Sequence, residues 1–462
     1  MKIMKFGGSS IENPERIKSV MEIIKKSKSE NNNIAVVFSA FGGVTDELIK
    51  ISKMAAVRNN DYVDLLDQLE KRHFEAVDKL IGVKKRSGVL TKIKVMINEL
   101  ADVFHGVYLV KELTAKTLDF ILSFGENLSC TIITEALKNR DVPVNFMDSR
   151  PIIKTDESFG NARVDKTRSF QNIKNHFSNQ PAIQIITGFA GSTDKDETTT
   201  LGRGGSDLTA SLIAAALGAS ELEIWTDVNG VLSADPGKVE RAFSISEMTF
   251  DEAMEMSHFG AKVIYPPTIQ PALEEKIPIR IKNTFQPDFT GTVIRENQLV
   301  ESNWLIKGIS SMEDVSLLRI QGSGMVGIAG IAARLFGALA KEKINIILIT
   351  QASSEHSICF AVKPGDAKDA KKAIEDEFSL EMQAHLVDEI IVENELSIVA
   401  IVGENMRNTP GIASKLFVAL GNSEVNIVAI AQGSSELNIS VVMSQKDEKK
   451  ALNAIHEKFF DI

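Results

Sequence analysis

Strands and helices alternate along most of the chain, which predicts an α/β fold: a mostly parallel sheet with helices on both faces, followed by two smaller βαββα units. Three observations carry this. Largely apolar runs such as Ile34 to Phe38, Ala182 to Gly191 and Leu222 to Trp225 have the hydrophobicity of strands buried on both faces. Each is followed by small or polar turn residues and then by a segment of helical period. From about Asn303 the pattern changes to short units that occur twice.

A chain of 462 residues with 44% hydrophobic and 25% charged residues has enough apolar content for several cores of ordinary globular composition. The formal net charge of −10 argues against nucleic acid or an anionic membrane as a general partner. Two cysteines, Cys130 and Cys359, are too few for a disulfide framework, and the seven histidines show no metal-ligand spacing. MKIMKFGGSS lacks a signal-peptide core, so a cytoplasmic location is expected.

The most informative stretch is TTTLGRGGSDLTA, Thr198 to Ala210, between a buried strand and an Ala-rich helix. Gly204 and Gly205 let the backbone approach a ligand, and Ser206 and Asp207 stand where the helix would be capped. Exposed amides at such a helix start favour an anion, and Arg203 offers a planar fork for a carboxylate or phosphate. A capped αβ turn with a surface arginine is the plain alternative.

Earlier, KFGGSS (Lys5 to Ser10) follows the first strand at once and leads into a helix around Pro14 to Lys26. Lys5 at the strand end, with the amides of Gly7 and Gly8, has the layout of a phosphate cradle, although GxxxxGK[ST] is absent. The pattern repeats after Ile34 to Phe38, where Ser39 and Thr45 offer hydroxyls at the carboxyl end of a strand, with Thr45 or Asp46 as the helix cap. Asp61 to Leu118 is helical in period, with His73 on the apolar stripe as a packed side chain. In SFGE, Glu126 follows a glycine near an expected helix start, where a carboxylate serves either the macrodipole or a ligand ammonium.

Further along, Leu222 to Thr226 reads as a strand that ends at Thr226 and Asp227 and runs into turn signals suited to a base and ribose, or to simple connection. HFGAKVIYPPT puts Lys262 after a glycine, as a surface charge or a second cation for phosphate. PIRIKNT, Pro278 to Thr284, reads as the last strand of the first domain. The C-terminal repeat then aligns without gaps: Gly330-Ile331-Ala332 with Gly411-Ile412-Ala413, and QASSE from Gln351 with QGSSE from Gln432, offset by 432 − 351 = 81. The expected divisions are 1–297, 303–390 and 391–462. The second unit ends without a counterpart of HLVDEIIVEN (His385 to Asn394), which leaves the last two open to interleaving.

Taken in order, KFGGSS, SFGE, TTTLGRGGSD, WTDVNGV and FGAKV resemble the blocks of aspartokinases, and the terminal pair resembles their tandem ACT domains. LITQASSE and NIVAIAQGSSE look most like the kinase portion of bifunctional aspartokinase/homoserine dehydrogenases. The resemblance implies the amino-acid-kinase fold and transfer of the γ-phosphoryl group of ATP, with Mg²⁺, to the side-chain carboxylate of L-aspartate. It implies that Lys5 and Asp207 are catalytic, and that Ser39, Thr45, Glu126, Arg203, Gly204, Gly205 and Ser206 hold aspartate. Lys5, Gly7, Gly8, Ser9, Thr226, Asp227, Leu232, Lys238, Lys262 and Val263 match positions for ATP. Ser9 stands where the family more often has threonine. Leu232 and Asp235-Pro236-Gly237-Lys238 depart from its usual tyrosine and Asp-Pro-Arg, which leaves that loop the weakest match. Met325, Ile331, Gln351, Met406, Ile412 and Gln432 match regulatory positions, and the two glutamines favour threonine over lysine as effector. A dimer, or a dimer of dimers, through the ACT-like units is implied. The alternative from another class is a catalytically inactive amino-acid sensor of the same fold.

Overall fold

The computed structural model describes residues 1–30, 33–178, 180–260, 265–298, 304–351 and 356–460. The chain divides into two compact units. The first is built, in order, from β1 (Lys2–Phe6), α1 (Pro14–Glu30), β2 (Ile34–Phe38), α2 (Val44–Ala56), α3 (Tyr62–Leu80), α4 (Val83–Val110), α5 (Ala115–Lys138), β3 (Val144–Met147), α6 (Lys166–Phe177), β4 (Ile183–Thr187), the hairpin β5 (Ala190–Ser192) and β6 (Thr198–Thr200), α7 (Gly205–Leu217), β7 (Glu221–Thr226) and β8 (Glu247–Thr249). After α8 (Phe250–His258) come α9 (Pro266–Glu274), β9 (Ile279–Asn283) and β10 (Thr292–Arg295).

Eight strands form one sheet in the order β3-β4-β2-β1-β7-β9-β10-β8. Those from β3 to β9 are parallel, and β10 runs antiparallel to β9. Pro278 to Thr284 is therefore not the last strand, as the sequence suggested; β10 pairs beside it. Every residue of β2 and β4 is buried, which is why β2 is apolar throughout and β4 carries only Gln184 and Thr187 as polar residues, rather than alternating. Phe38, Phe6 and Trp225 stack across three neighbouring strands at centroid distances of 5.4 and 5.6 Å. Lys5, next to Phe6 on β1, points to the opposite face.

Two local expectations are corrected. Glu126 is not near a helix start: α5 runs through it from Ala115, and Gly125 lies inside the helix because a Cβ there would come within 2.9 Å of the Ala40 Cβ. Helices α2 and α7 are not capped by Thr45, Asp46, Ser206 or Asp207, but begin after Gly43 and Gly204, whose φ values of 83° and 69° are left-handed and suit glycine. His73, as expected, is packed: it is fully buried, Nδ1 lies 2.7 Å from the Leu69 carbonyl, and its ring stacks on Phe41.

The second unit takes in Leu232–Phe243, the described part of 251–262 and the C-terminal region, so it is not divided from the first by a single cut near residue 297. It contains β11 (Gly308–Gln321), α10 (Ile331–Lys341), β12 (Leu348–Gln351), β13 (Ser357–Val362), α11 (Pro364–Glu377), α12 (Ser379–Gln383), β14 (Ile391–Val402), α13 (Ile412–Asn422), β15 (Ile427–Ala431), β16 (Asn438–Ser444) and α14 (Glu448–Phe460). Its six strands make one antiparallel sheet, β12-β13-β11-β14-β16-β15.

The 81-residue repeat is visible atom by atom. Lys307 N–H donates to the Val402 carbonyl at 2.7 Å, and Asp388 N–H donates to the Gln321 carbonyl at 2.8 Å. A Cβ on Gly403 would meet the Ile306 Cα at 2.7 Å, and one on Gly322 would meet the Val387 Cα at 2.6 Å. Each helical layer thus receives a segment that precedes the other repeat. Ile306 and Ile309 pack with Leu416, Val441 and Ile455, whereas Val387 and Ile390 pack with Leu335, Phe360 and Ile374.

Candidate functional site

The site in the first unit lies at the carboxyl ends of β1, β2 and β4 and at the start of α7, the end of a parallel sheet where helix N-termini and short loops converge. Lys5 is almost fully buried, and its Nζ lies 2.6 Å from Oδ1 of Asp207 in the first turn of α7. Lys5 follows from the strand, and Asp207 from the helix that the left-handed Gly204 starts. The loops after β1 and β2 touch: a Cβ on Gly8 would fall 3.1 Å from the Ala40 carbonyl oxygen. The Gly7 N–H already donates to the Trp225 carbonyl at 3.2 Å, which ties the loop to β7. Gly8 and Ser9 open a short 3-10 turn, Gly8–Ile11, whose first amides are not consumed within the turn.

Glu126 faces the same region from α5. Its Oε1 accepts from the Ala40 N–H at 3.1 Å, whereas Oε2 is buried with no hydrogen-bond partner among the described residues. Burial pushes its pKa up to about 8, against the opposing pull of the Ala40 amide and of the nearby Lys5 charge. The Ser129 hydroxyl, on the next turn of α5, donates to the Ser39 carbonyl at 2.8 Å and so binds the helix to the β2 loop. Thr45 is half-buried in the first turn of α2. Ser206 is buried against Gly188, where a Cβ would come within 2.5 Å of the Ser206 Cβ. Arg203, one residue before Gly204, is exposed and makes no hydrogen bond or ion pair among the described residues.

Thr226 and Asp227 close β7, with the Thr226 hydroxyl 3.1 Å from Oδ1 of Asp227. Lys262 and Val263 lie outside the described residues. Leu232 and Lys238 belong to the second unit, where the Lys238 ammonium is taken up by Glu448 at 2.5 Å and Glu313 at 2.8 Å. A departure from the family pattern thus coincides with a lysine whose charge is already matched.

The regulatory positions keep the repeat symmetry. Met325 and Met406 are buried in matching 3-10 turns, and Ile331 and Ile412 are the buried first residues of α10 and α13. Gln351 ends β12 and Gln432 follows β15; both are exposed. Residues 352–355 of the first QxSSE turn lie outside the described residues.

Two residues escaped the sequence. Phe189, between Gly188 and the β5 hairpin, has φ 71°, a strained value for a bulky side chain, and its carbonyl accepts from Leu201 N–H at 2.9 Å. Asp119, two turns before Glu126 on α5, is buried. Its Oδ2 accepts from the Gly160 and Thr200 N–H groups at 2.8 and 2.9 Å, and its Oδ1 from the Thr200 hydroxyl at 2.6 Å. Burial raises its pKa against those bonds. It fastens the strand that leads to Arg203 onto the helix that carries Glu126. The only available signal for it was its spacing of two helical turns from Glu126.

Among the described residues no three His, Cys, Asp or Glu groups form a metal cage, and none is long and apolar enough as a helix to cross a membrane. The model of the amino acid kinase family matches residues 1–283, and that of the ACT domain matches 318–378 and 399–459. The bifunctional aspartokinase/homoserine dehydrogenase of Daucus carota is 36% identical over 99% of this chain and 50% of its own length, so the chain spans about half of such relatives. Chloroplastic aspartokinase 1 of Arabidopsis thaliana is 33% identical over 99% of this chain and 80% of its own length. Among solved structures, E. coli aspartokinase III in complex with aspartate and ADP superposes with a TM-score of 0.83 at 28% identity, over the whole of both chains. Clostridium acetobutylicum aspartate kinase gives 0.83 at 28% identity, over 99% of this chain and all of its own. With its sheet, its Lys5–Asp207 pair and its twinned C-terminal repeat, the chain belongs to the amino acid kinase family and, within it, to the aspartokinases.

Proposed function

We propose that this chain transfers the γ-phosphoryl group of ATP to the side-chain carboxylate of L-aspartate, giving 4-phospho-L-aspartate and ADP. The observation that carries this most directly is Oε2 of Glu126, a buried carboxylate oxygen without a partner among the described residues, on the helix to which Asp119 fastens the strand leading to the uncommitted guanidinium of Arg203. A zwitterionic amino acid answers both: its ammonium pairs with Glu126 and its α-carboxylate with Arg203. E. coli aspartokinase III has been solved in complex with aspartate and ADP, in keeping with that assignment.

The acceptor carboxylate is already ionised, so the reaction needs little proton transfer. What it needs is alignment of two anions and neutralisation of charge on the phosphoryl oxygens. Lys5 supplies a buried cation there, and Asp207 holds its ammonium in place. The Gly8, Ser9 and Ser206 amides, which no backbone carbonyl among the described residues takes up, are left to receive an anion. Ser39, Thr45 and Ser206 offer hydroxyls around the aspartate, and Thr226 and Asp227 sit at the strand end suited to the nucleotide. Mg²⁺ fits as an ion carried by the nucleotide's phosphate oxygens, with one or two carboxylates at most, and neutralises phosphoryl charge when bound.

The second unit reads as the regulatory part, with Gln351 and Gln432 at the effector turns and threonine favoured over lysine. Lysine is the ligand of one E. coli aspartokinase III structure, which superposes with a TM-score of 0.79. An effector that binds the inactive arrangement better by about 1–3 kcal/mol suffices. The test is turnover of ATP with L-aspartate, the acyl phosphate trapped with hydroxylamine, with and without threonine or lysine. Turnover suppressed by threonine supports both assignments, and loss of that suppression in Gln432→Ala locates it. Suppression by lysine alone overturns the effector assignment, and no turnover on any amino acid leaves a sensor.

A further inference from the structure

The two C-terminal repeats differ at one place where their symmetry calls for likeness. In the second repeat, the groove between α14 and the start of β11 is filled by the chain itself. The segment 232–243 buries Ala234 and Val239 in that repeat's core, and Ser233 lies 3.0 Å from His456. Lys238 enters between Glu448 and Glu313, and its carbonyl accepts from the Asn453 amide at 3.0 Å.

Eighty-one residues earlier, the matching groove lies between α11 and the start of β14. It is open, with a volume of about 400 Å³, and is lined by Ala367, Lys368, Lys371, Lys372, Val392 and Asn394 among others. By the offset, Ala367 and Asn394 stand where Glu448 and Glu313 hold the plug, so both acids that receive a lysine are gone. Those two places are neutral, and the groove around them is more basic: Lys371 and Lys372 stand where the second repeat has Leu452 and Asn453, while Lys368 matches Lys449. Lys371 is matched by Glu375 and Glu389 at 3.6 and 3.3 Å, whereas Lys368 and Lys372 are exposed and have no ion pair among the described residues. A second copy of the chain presenting segment 232–243 would bring a lysine to lysines.

We infer that the first-repeat groove is a docking site for an acidic segment of a partner protein, bound along α11 in the way that segment 232–243 is bound along α14. By the repeat offset the corresponding helix and strand frame both grooves, and the acids that receive Lys238 in one are replaced in the other by neutral residues beside lysines. This does not rest on the catalytic assignment.

The experiment uses the full chain and two fluorescent peptides: residues 232–243 as they stand, and the same peptide with Lys238→Glu. Anisotropy at low salt should show the Lys238→Glu peptide binding about tenfold tighter or more than the unmodified one, weakening as salt rises. The double variant Lys368→Glu, Lys372→Glu should lose that binding by a similar factor while it keeps the wild-type melting profile. Failure of the Lys238→Glu peptide to bind, equal binding of both peptides, binding indifferent to the double variant, or displacement by free glutamate at matched charge concentration would each overturn the inference.

Discussion

In the site as proposed, the phosphate end and the amino-acid end settle their charges in different ways. At the phosphate end, the Lys5 cation and the Asp207 anion meet at 2.6 Å, so the free protein is already neutral there and the ammonium is fixed before any ligand arrives. At the other end, Glu126 keeps one buried oxygen unpaired and Arg203 stands free among the described residues, 77 positions apart in sequence (203 − 126 = 77) and with no bond between them. One end is preorganised for a charge that develops during reaction. The other is complementary to a ligand that brings both of its charges along.

Removing the fixed cation should do the most damage. Lys5→Ala is expected to lower kcat by roughly 10²–10³-fold, the scale of a lost transition-state donor, with a much smaller change in the KM for aspartate. A variant that lost mainly aspartate affinity would erase the division between the two ends. At the amino-acid end, Arg203→Ala should instead raise the KM for aspartate by about 10²-fold, with the KM for ATP nearly unchanged, as steady-state kinetics with each substrate varied would show.

The unpaired carboxyl makes a pH prediction. With the pKa of Glu126 raised from 4.5 to about 8, the free protein holds a proton there that the unfolded chain releases at lower pH. Between those values the folded state binds more protons, so this group's contribution to stability falls as pH rises toward 8. Aspartate, whose ammonium needs the carboxylate, should bind better over the same range. Glu126→Gln should flatten both trends in thermal melts and in binding titrations and raise the KM for aspartate by about tenfold or more. If the wild-type melt were indifferent to pH from 5 to 8, the ammonium pocket would have to be placed elsewhere.

Asp119 sharpens the comparison from a distance. Asp119→Ala leaves the two buried Thr200 donors unsatisfied and frees the Gly160 N–H, and about 2–4 kcal/mol of stability should be lost in denaturant unfolding. Asp119→Asn, which keeps one acceptor oxygen and with it at most two of the three bonds, should cost less and show its effect in the KM for aspartate rather than in that for ATP. The smallest effect belongs to His73, whose burial lowers its pKa to about 4. Its neutral form is favoured in the fold, so stability is lost as pH falls from about 6.5 toward 4, and His73→Leu should soften that acid limb without touching turnover.

Most strands were legible because burial on both faces writes itself as largely apolar runs, and the repeat was legible because its two copies align without a gap. Lys5 and Asp207 could be named from their blocks, but not that they touch. Glu126 was misplaced at a helix start because Gly125 looks like a boundary; the glycine answers instead to the Ala40 side chain packed against the helix, a contact that a local pattern does not contain. Short strands such as β8 and β10 carry too few residues to show a period. The allegiance of segment 232–243 to the second unit was invisible for a different reason: a turn-rich loop has no pattern that says which core it will cover.

The exchanged segments before β11 and β14 act like a zip sewn across a seam. Pulling 304–309 away strips the second helical layer, and pulling 385–390 away strips the first, so neither half of the regulatory unit has a private unfolding event. Mechanical or thermal loss of one is loss of both. A strain applied to either half is therefore expected to load both.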